Sequence, residues 1–153
     1  PHVGEGMGAV FAALNRNKRA VGLDLDTEGG AEAFRRLAAE ADVVVESFRP
    51  GALDRLGLGW DDLREVNDEL ILCSISGYGQ TGPLRDRAGH DLDYVARAGL
   101  LGRTTDGGEA PEVPVLQVAD VAGGLYGAIV VDPDPERVAE EPAAYVNDHP
   151  SQI

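Results

Sequence analysis

Residues 42–48 read DVVVESF, three consecutive valines between an acidic residue and a turn. A short, continuous β-branched run of this kind is typical of a strand in a parallel sheet that is covered on both faces. The next segment, RPGALDRLGLG at 49–59, opens with Pro-Gly and then has the composition of a short helical turn. The pattern therefore predicts a buried strand that ends in a tight turn.

Strands and helices alternate on both sides of this strand. Residues 20–25 (AVGLDL) are interpreted as a strand, and residues 26–41 as an amphipathic helix with Thr27 at its N-cap. Residues 60–68 are interpreted as a short helix, and residues 69–79 (ELILCSISGYG) as a third strand that runs into a glycine-rich loop. This order favours parallel pairing, so we predict an α/β fold with an open, mainly parallel sheet and flanking helices.

The second half of the chain continues the predicted domain and then changes character. A loop with several glycines leads into a predicted helix at 91–101, and residues 115–131 turn from an extended piece into a helix that begins near Asp120. We assign residues 1–131 to one partial α/β domain. Residues 132–153 are acidic and contain four prolines, which is typical of a poorly ordered tail.

Composition excludes several classes of function. A net charge of −14 argues against nucleic acid or an anionic membrane surface as the partner. No apolar stretch is long enough to cross a bilayer, and the single cysteine, Cys73, permits no internal disulfide, so we expect a cytoplasmic protein. No cluster of His, Cys and carboxylate residues indicates a metal site.

The positive charges point to where an anionic ligand would bind. Twelve of the thirteen Lys and Arg residues lie in 1–103, so such a ligand is expected on that part of the chain. Ligands of open α/β sheets bind beyond the carboxyl ends of the strands, where Arg49 follows the valine strand and Arg55 lies six residues later. Either arginine can bind a phosphate, and either can equally be a solvated surface residue.

The stretch RDRAGHDLDYVARAGLL at 85–101 contains a histidine at the predicted start of a helix. Two structural interpretations stay open: Asp91 is the N-cap of a helix at 92–101 with His90 as a loop residue, and Asp120 is only the N-cap of its own helix. The alternative is a chemical role for His90, because a neutral imidazole near its ordinary pKa of ~6.5 is a suitable base at neutral pH.

Five blocks of sequence together resemble the family III CoA-transferases, and most closely the α-methylacyl-CoA racemase branch. They are NRNKRAVGLDL, VVVESFRPGALDRLGLG, LILCSISGYGQTGP, RAGHDLDY and VADVAGG, and the resemblance covers about residues 9–130. It implies part of a Rossmann-like, CoA-binding large domain. Because that domain begins with a strand and a helix before the position of Pro1, the resemblance also implies that this chain is a fragment.

The resemblance implies a chemical role for the histidine. In such racemases the GHD histidine and an aspartate thirty residues later, here His90 and Asp120, face each other across the α-carbon of an acyl-CoA thioester. One group removes the proton and the other reprotonates the opposite face, while the first amides of 91–94 can hold the enolate oxygen. Leu23 and Phe48 are expected to flank the adenine of CoA, and Arg49 and Arg55 to bind its phosphates.

Other functions remain open within and outside this family. In a CoA-transferase the aspartate at the position of Asp120 is a nucleophile, although transferases do not generally keep a histidine at the position of His90. A non-catalytic, CoA-binding fragment is the third candidate. We expect an acyl-CoA substrate, coenzyme A as part of that substrate with no tightly bound cofactor, and a homodimer in the full-length family.

Overall fold

The computed structural model describes residues 6, 8–103 and 110–131, and the tail predicted at 132–153 lies outside these residues. The elements are α1 (Ala9–Leu14), α2 (Glu28–Ala39), β1 (Val43–Glu46), α3 (Ala52–Arg55), α4 (Trp60–Val66), β2 (Ile71–Ser74), α5 (Asp91–Arg97), a 3₁₀ turn (Leu101–Arg103) and α6 (Val118–Val131). Helices and an open parallel sheet confirm the predicted α/β class. None of the described helices combines the length and the apolarity needed to cross a bilayer.

The sheet formed by the described residues has two parallel strands. β1 pairs with β2 in the register that places Val43 beside Ile71 and Glu46 beside Ser74. The connection between them runs through α3 and α4, so the strand–helix–strand order predicted for this part of the chain is confirmed. Because the strands are parallel, both carboxyl ends lie at the same edge of the sheet.

The strand predicted at 20–25 is wrong. Residues 20–24 have no regular secondary structure, and Val21 is 45% exposed. The alternating apolar residues do anchor the segment, since Leu25 is only 3% exposed and Leu23 packs against the core. A strand also needs a hydrogen-bonded neighbour, and no described residue pairs with this segment.

The valines of β1 are less buried than the sequence predicts. All four residues of β1 are half-buried rather than covered on both faces. An apolar groove of about 490 Å³ lies between Val43–Val45 and α2, where Phe34, Leu37 and Ala38 form part of its wall. The sequence pattern correctly identifies an apolar strand, but in the described part of the chain the groove leaves that strand half-buried.

The hydrophobic core lies among α2, α3 and α4. Its buried members are Leu25, Ala31, Phe34, Ala38, Leu53, Leu58, Leu63 and Leu70. α2 contributes one face through Ala31, Phe34 and Ala38, which are spaced for a single stripe along a helix. Leu58 and Leu63 are fully buried and lie where α3 and α4 meet the rest of the core. This packing holds the segment that follows β1, which contains Leu53 and Leu58.

The predicted N-cap of α2 is confirmed and yields a stability prediction. The Thr27 hydroxyl accepts a hydrogen bond from the Gly30 amide at 3.1 Å and donates one to the Asp24 carbonyl at 2.7 Å. We expect Thr27→Ala to lower the free energy of unfolding by about 1 kcal/mol and Thr27→Ser to retain most of the stability of the wild type. Urea unfolding followed by circular dichroism measures both variants. Equal stability of the two variants would contradict the capping role.

Candidate active site

A cleft of about 450 Å³ opens beyond the carboxyl ends of β1 and β2. Its walls come from residues 47–50 with Arg55, from residues 76–78, and from residues 85–90 with Tyr94. These are the loops that follow the two strands, which is where open α/β sheets bind their ligands. The cleft brings together four of the six residues singled out in the sequence: Phe48, Arg49, Arg55 and His90.

The first wall is shaped by a tight turn directly after β1. The Ala52 amide donates to the Arg49 carbonyl at 2.9 Å, and Gly51 has φ 77° and ψ 8°. A type II turn requires a positive φ at its third position, which Gly51 supplies, and favours proline at its second. The Glu46 carboxylate accepts a hydrogen bond from the Phe48 amide at 2.7 Å, so the end of the strand also holds the turn.

Guanidinium groups dominate the charge of the cleft. The lining arginines are Arg49, Arg55, Arg85 and Arg87. Arg85 Nη2, Arg55 Nη1 and Asp54 Oδ2 all lie within 4 Å of the point that a Gly51 Cβ would occupy. Among the described residues Arg85 pairs only with Asp86, at 4.0 Å, and the other three arginines of the cleft form no ion pair. Their donors are therefore available for an anionic ligand such as a phosphate.

Arg85 and Arg87 were not singled out by the sequence reasoning. Two features of the sequence could have pointed to them: the concentration of positive charge in 1–103 and the position of both arginines just before His90. Neither observation shows that the loop after β2 folds back toward the turn after β1. That approach becomes visible only in the structure, where Arg85 and Arg55 come close to the same glycine.

Two predicted residues do not line the cleft. Leu23 packs against the hydrophobic core, as Phe48 also does. Asp120 is exposed at the start of α6 and is absent from the cleft wall. The structure therefore brings the arginines, Phe48 and His90 together directly, and it connects Asp120 to them through α5.

The histidine loop is fixed by contacts at both ends. His90 is the N-cap residue of α5, and its amide donates to the Asp93 carboxylate at 2.9 Å. The Tyr94 hydroxyl donates to the Gly89 carbonyl at 2.5 Å, and a Cβ on Gly77 would overlap the Tyr94 ring. Because the loop is held in this way, the exposed His90 side chain lies in the wall of the cleft.

The interpretation of Asp91 as the N-cap of a helix at 92–101 is wrong. Asp91 is the first residue of α5, and its carboxylate points to α6 instead. Asp91 Oδ1 accepts hydrogen bonds from the Ala119 amide at 2.6 Å and from the Asp120 amide at 3.1 Å. The start of α6 is thus attached to the residue that follows His90.

Asp120 is likewise not the N-cap of its helix. It is the third residue of α6, and its Oδ2 accepts a hydrogen bond from Gln117 Nε2 at 3.2 Å. Although Asp120 is exposed overall, partial desolvation of its carboxyl group and the Asp91 carboxylate raise its pKa, whereas the neighbouring His90 lowers it. The carboxyl group therefore holds its proton to a higher pH than usual, and it lies within electrostatic reach of His90.

The backbone amides at the start of α5 are only partly available. The Asp93 and Tyr94 amides donate to the His90 carbonyl at 2.9 and 3.3 Å. Two of the four amides expected to hold an enolate oxygen are therefore already paired. The amides of Asp91 and Leu92 have no hydrogen-bond acceptor in the described part of the chain.

The fold and the cleft define a class of protein: an α/β protein with an arginine-lined cleft at the carboxyl ends of its strands. Residues 1–132 match the sequence profile described as CoA-transferase family III, and the chain belongs to this family. The predicted resemblance is therefore confirmed at the level of the family.

Curated relatives include both transferases and a racemase. The chain is 43% identical over 122 residues to an acyl-CoA transferase of Fusarium pseudograminearum, covering 78% of this chain and 27% of that protein. It is 42% identical over 111 residues to human alpha-methylacyl-CoA racemase, covering 72% of this chain and 29% of that protein. The chain thus spans less than a third of the length of these relatives.

A solved structure supports the same assignment. A CaiB/BaiF family protein from Brucella suis superimposes with a TM-score of 0.81 at 38% identity, covering 95% of this chain and 39% of the other. The described fold is therefore that of a segment of the family's α/β architecture. At the level of the family the relatives are enzymes that act on CoA thioesters or transfer CoA.

Proposed function

We propose that this chain carries the proton-transfer site of an acyl-CoA racemase or epimerase, with His90 and Asp120 as its two acid–base groups. The observation that carries the proposal is the attachment of the Asp120 helix to the residue next to His90, which keeps an imidazole and a carboxyl group within electrostatic reach. The substrate class is a 2-methylacyl-CoA, and its CoA moiety belongs to the substrate rather than to a resident cofactor.

The chemistry requires two groups of this kind. The α-proton of a thioester is only weakly acidic, so its removal needs a base, and inversion needs an acid on the opposite face. His90 acts as base toward one enantiomer while protonated Asp120 returns a proton, and the roles reverse for the other enantiomer. The raised pKa of Asp120 supports this assignment, because at any given pH its carboxyl group is protonated to a greater extent than that of a free aspartate.

A CoA-transferase is the second candidate. The first of the curated relatives above is named a transferase, and the exposed Asp120 carboxylate could attack a thioester carbonyl and release CoA thiolate. In that reaction Asp120 must be ionised, and its raised pKa reduces the reactive fraction at low pH. His90 has no required role in this scheme, whereas it is essential to proton transfer.

One experiment separates these functions. The 153-residue protein is incubated in deuterated water with a 2-methylacyl-CoA and an isotopically labelled free acid. Deuterium at C2 without label transfer is expected for a racemase, and removing either group of the pair should abolish inversion of the centre. Label in the thioester without deuterium would favour the transferase, and neither product would favour a CoA-binding module without catalysis.

The arginines of the cleft are proposed to bind the phosphates of CoA. We expect Arg49→Ala and Arg55→Ala each to weaken CoA binding by about 10-fold or more in calorimetry, because each removes a charge-assisted hydrogen-bond donor. Added salt should weaken wild-type binding as well. Arg64→Ala is the matched control, since Arg64 lies over the Trp60 ring and does not line the cleft. Equal affinity in all three variants would remove the phosphate assignment.

The proposal also covers the cellular location and the oligomeric state of the intact protein. We infer a cytoplasmic homodimer that contacts neither nucleic acid nor membrane. The exposed apolar side chains of Leu125, Tyr126 and Ile129 on α6 support further burial of this helix in an assembly. Sedimentation of the 153-residue protein is expected to show self-association, and a stable monomer would count against it.

A further inference from the structure

Asp91 makes a contact that the proposed reaction does not itself require. Its Oδ1 accepts two hydrogen bonds from backbone amides 28 and 29 residues further along the chain, at Ala119 and Asp120. The first amides of a helix have no partners within the helix, and a carboxylate is favoured at this positive end. A residue of one helix therefore caps another helix, and the two helices pack against each other.

We propose that Asp91 is a positioning residue that clamps the start of α6 to α5 and so holds the Asp120 carboxyl group in place relative to His90. The inference rests on the proposed function and extends it, because the acid–base pair itself comprises only His90 and Asp120. His90 and Asp91 are consecutive, so the dipeptide supplies both one member of the pair and the contact that places the other.

The charges around Asp120 give this clamp a second effect. From α5, the Asp91 carboxylate and the His90 imidazole act on Asp120 with opposite signs, and Asp120 in turn influences the Tyr94 hydroxyl. From its own helix end, Gln117 donates to the Asp120 carboxylate. Removing the negative charge of Asp91 therefore lowers the pKa of Asp120, since a like charge near an acid disfavours its ionised form.

Two substitutions separate the hydrogen bonds from the charge. Asp91→Asn keeps a side-chain oxygen that can accept from the α6 amides but removes the negative charge. Asp91→Ala removes both. Asp93→Asn is the matched control, because Asp93 lies on the same helix and accepts from the His90 amide rather than from α6.

The test measures the protein directly by NMR, without turnover. Amide hydrogen exchange of Ala119 and Asp120 is expected to accelerate about 10-fold or more in Asp91→Ala, and much less in Asp91→Asn and Asp93→Asn. The carboxyl-carbon titration of Asp120 is expected to shift to lower pH in Asp91→Asn and to stay in place in Asp93→Asn. Unchanged exchange in Asp91→Ala, or an unchanged Asp120 titration in Asp91→Asn, would overturn the proposal.

The activity arm distinguishes this inference from the proposed function. The substrate is the same 2-methylacyl-CoA in deuterated water. Asp91→Asn is expected to keep incorporating deuterium at C2, with the acidic limb of its pH profile at lower pH. Asp91→Ala is expected to lose most of this activity. Suppose that the NMR measurements agree with the positioning role of Asp91 but the wild-type protein incorporates no deuterium at C2. This result refutes the racemase proposal and leaves the positioning role of Asp91 intact. If the wild-type protein incorporates deuterium at C2 and both Asp91 variants do so at the same rate, only the positioning role of Asp91 is refuted.

Discussion

Replacing His90 with alanine is expected to lower the rate of deuterium incorporation at C2 by ~10²–10⁴-fold for the 2-methylacyl-CoA enantiomer that uses His90 as base, the contribution typical of a positioned acid or base. His90 lies in the wall of the arginine-lined cleft, at the start of α5, so its removal eliminates the base for one enantiomer. Asp120→Asn should cause a loss of similar size for the opposite enantiomer. The measurement is deuterium uptake from each pure enantiomer, followed by mass spectrometry.

The two variants also have a diagnostic pattern. His90→Ala and Asp120→Asn should each still exchange the C2 proton of the enantiomer that faces the remaining base. Neither variant should invert the configuration at C2. CoA affinity serves as the control and is expected to stay within about 2-fold in His90→Ala, because the phosphates are assigned to the arginines and not to the imidazole. Full racemisation by His90→Ala would refute the two-group mechanism.

The pH dependence of the reaction follows from the state of Asp120. Partial desolvation and the Asp91 carboxylate raise the pKa of this carboxyl group, so it ionises at a higher pH than a free aspartate. For the enantiomer that uses Asp120 as base, deuterium exchange should therefore rise with pH through a midpoint above that of a free aspartate. A midpoint at or below that of a free aspartate would show that the carboxyl group is not perturbed.

The largest expected effect on stability is at the centre of the core. Leu63 on α4 is 0% exposed, and Leu63→Ala should lower the free energy of unfolding by about 2–5 kcal/mol through lost burial and a residual cavity. Val66→Ala is the matched control on the same helix, since Val66 is 42% exposed, and its cost is expected to be about 1 kcal/mol or less. Urea unfolding measures both, and equal costs would contradict the assigned core.

Local features of the fold were predictable from sequence because their causes are local. Thr27 caps α2 through an amide three residues away, and the Pro-Gly pair after β1 forms a turn within four residues. The apolar runs at 42–48 and 69–79 correctly identify β1 and β2. Hydrogen bonds between near neighbours and the side-chain period of a strand are sufficient for these assignments.

The sequence by itself therefore determined the α/β class, the two parallel strands, the family and the residues chosen as a candidate site. Tertiary structure decided whether those residues meet. The segment at 20–25 is no strand because pairing requires a neighbour, and the arginines converge because two loops distant in the chain fold together. Asp91 reaches Ala119 across 28 residues, a contact that no local pattern encodes, because it depends on how α5 packs against α6.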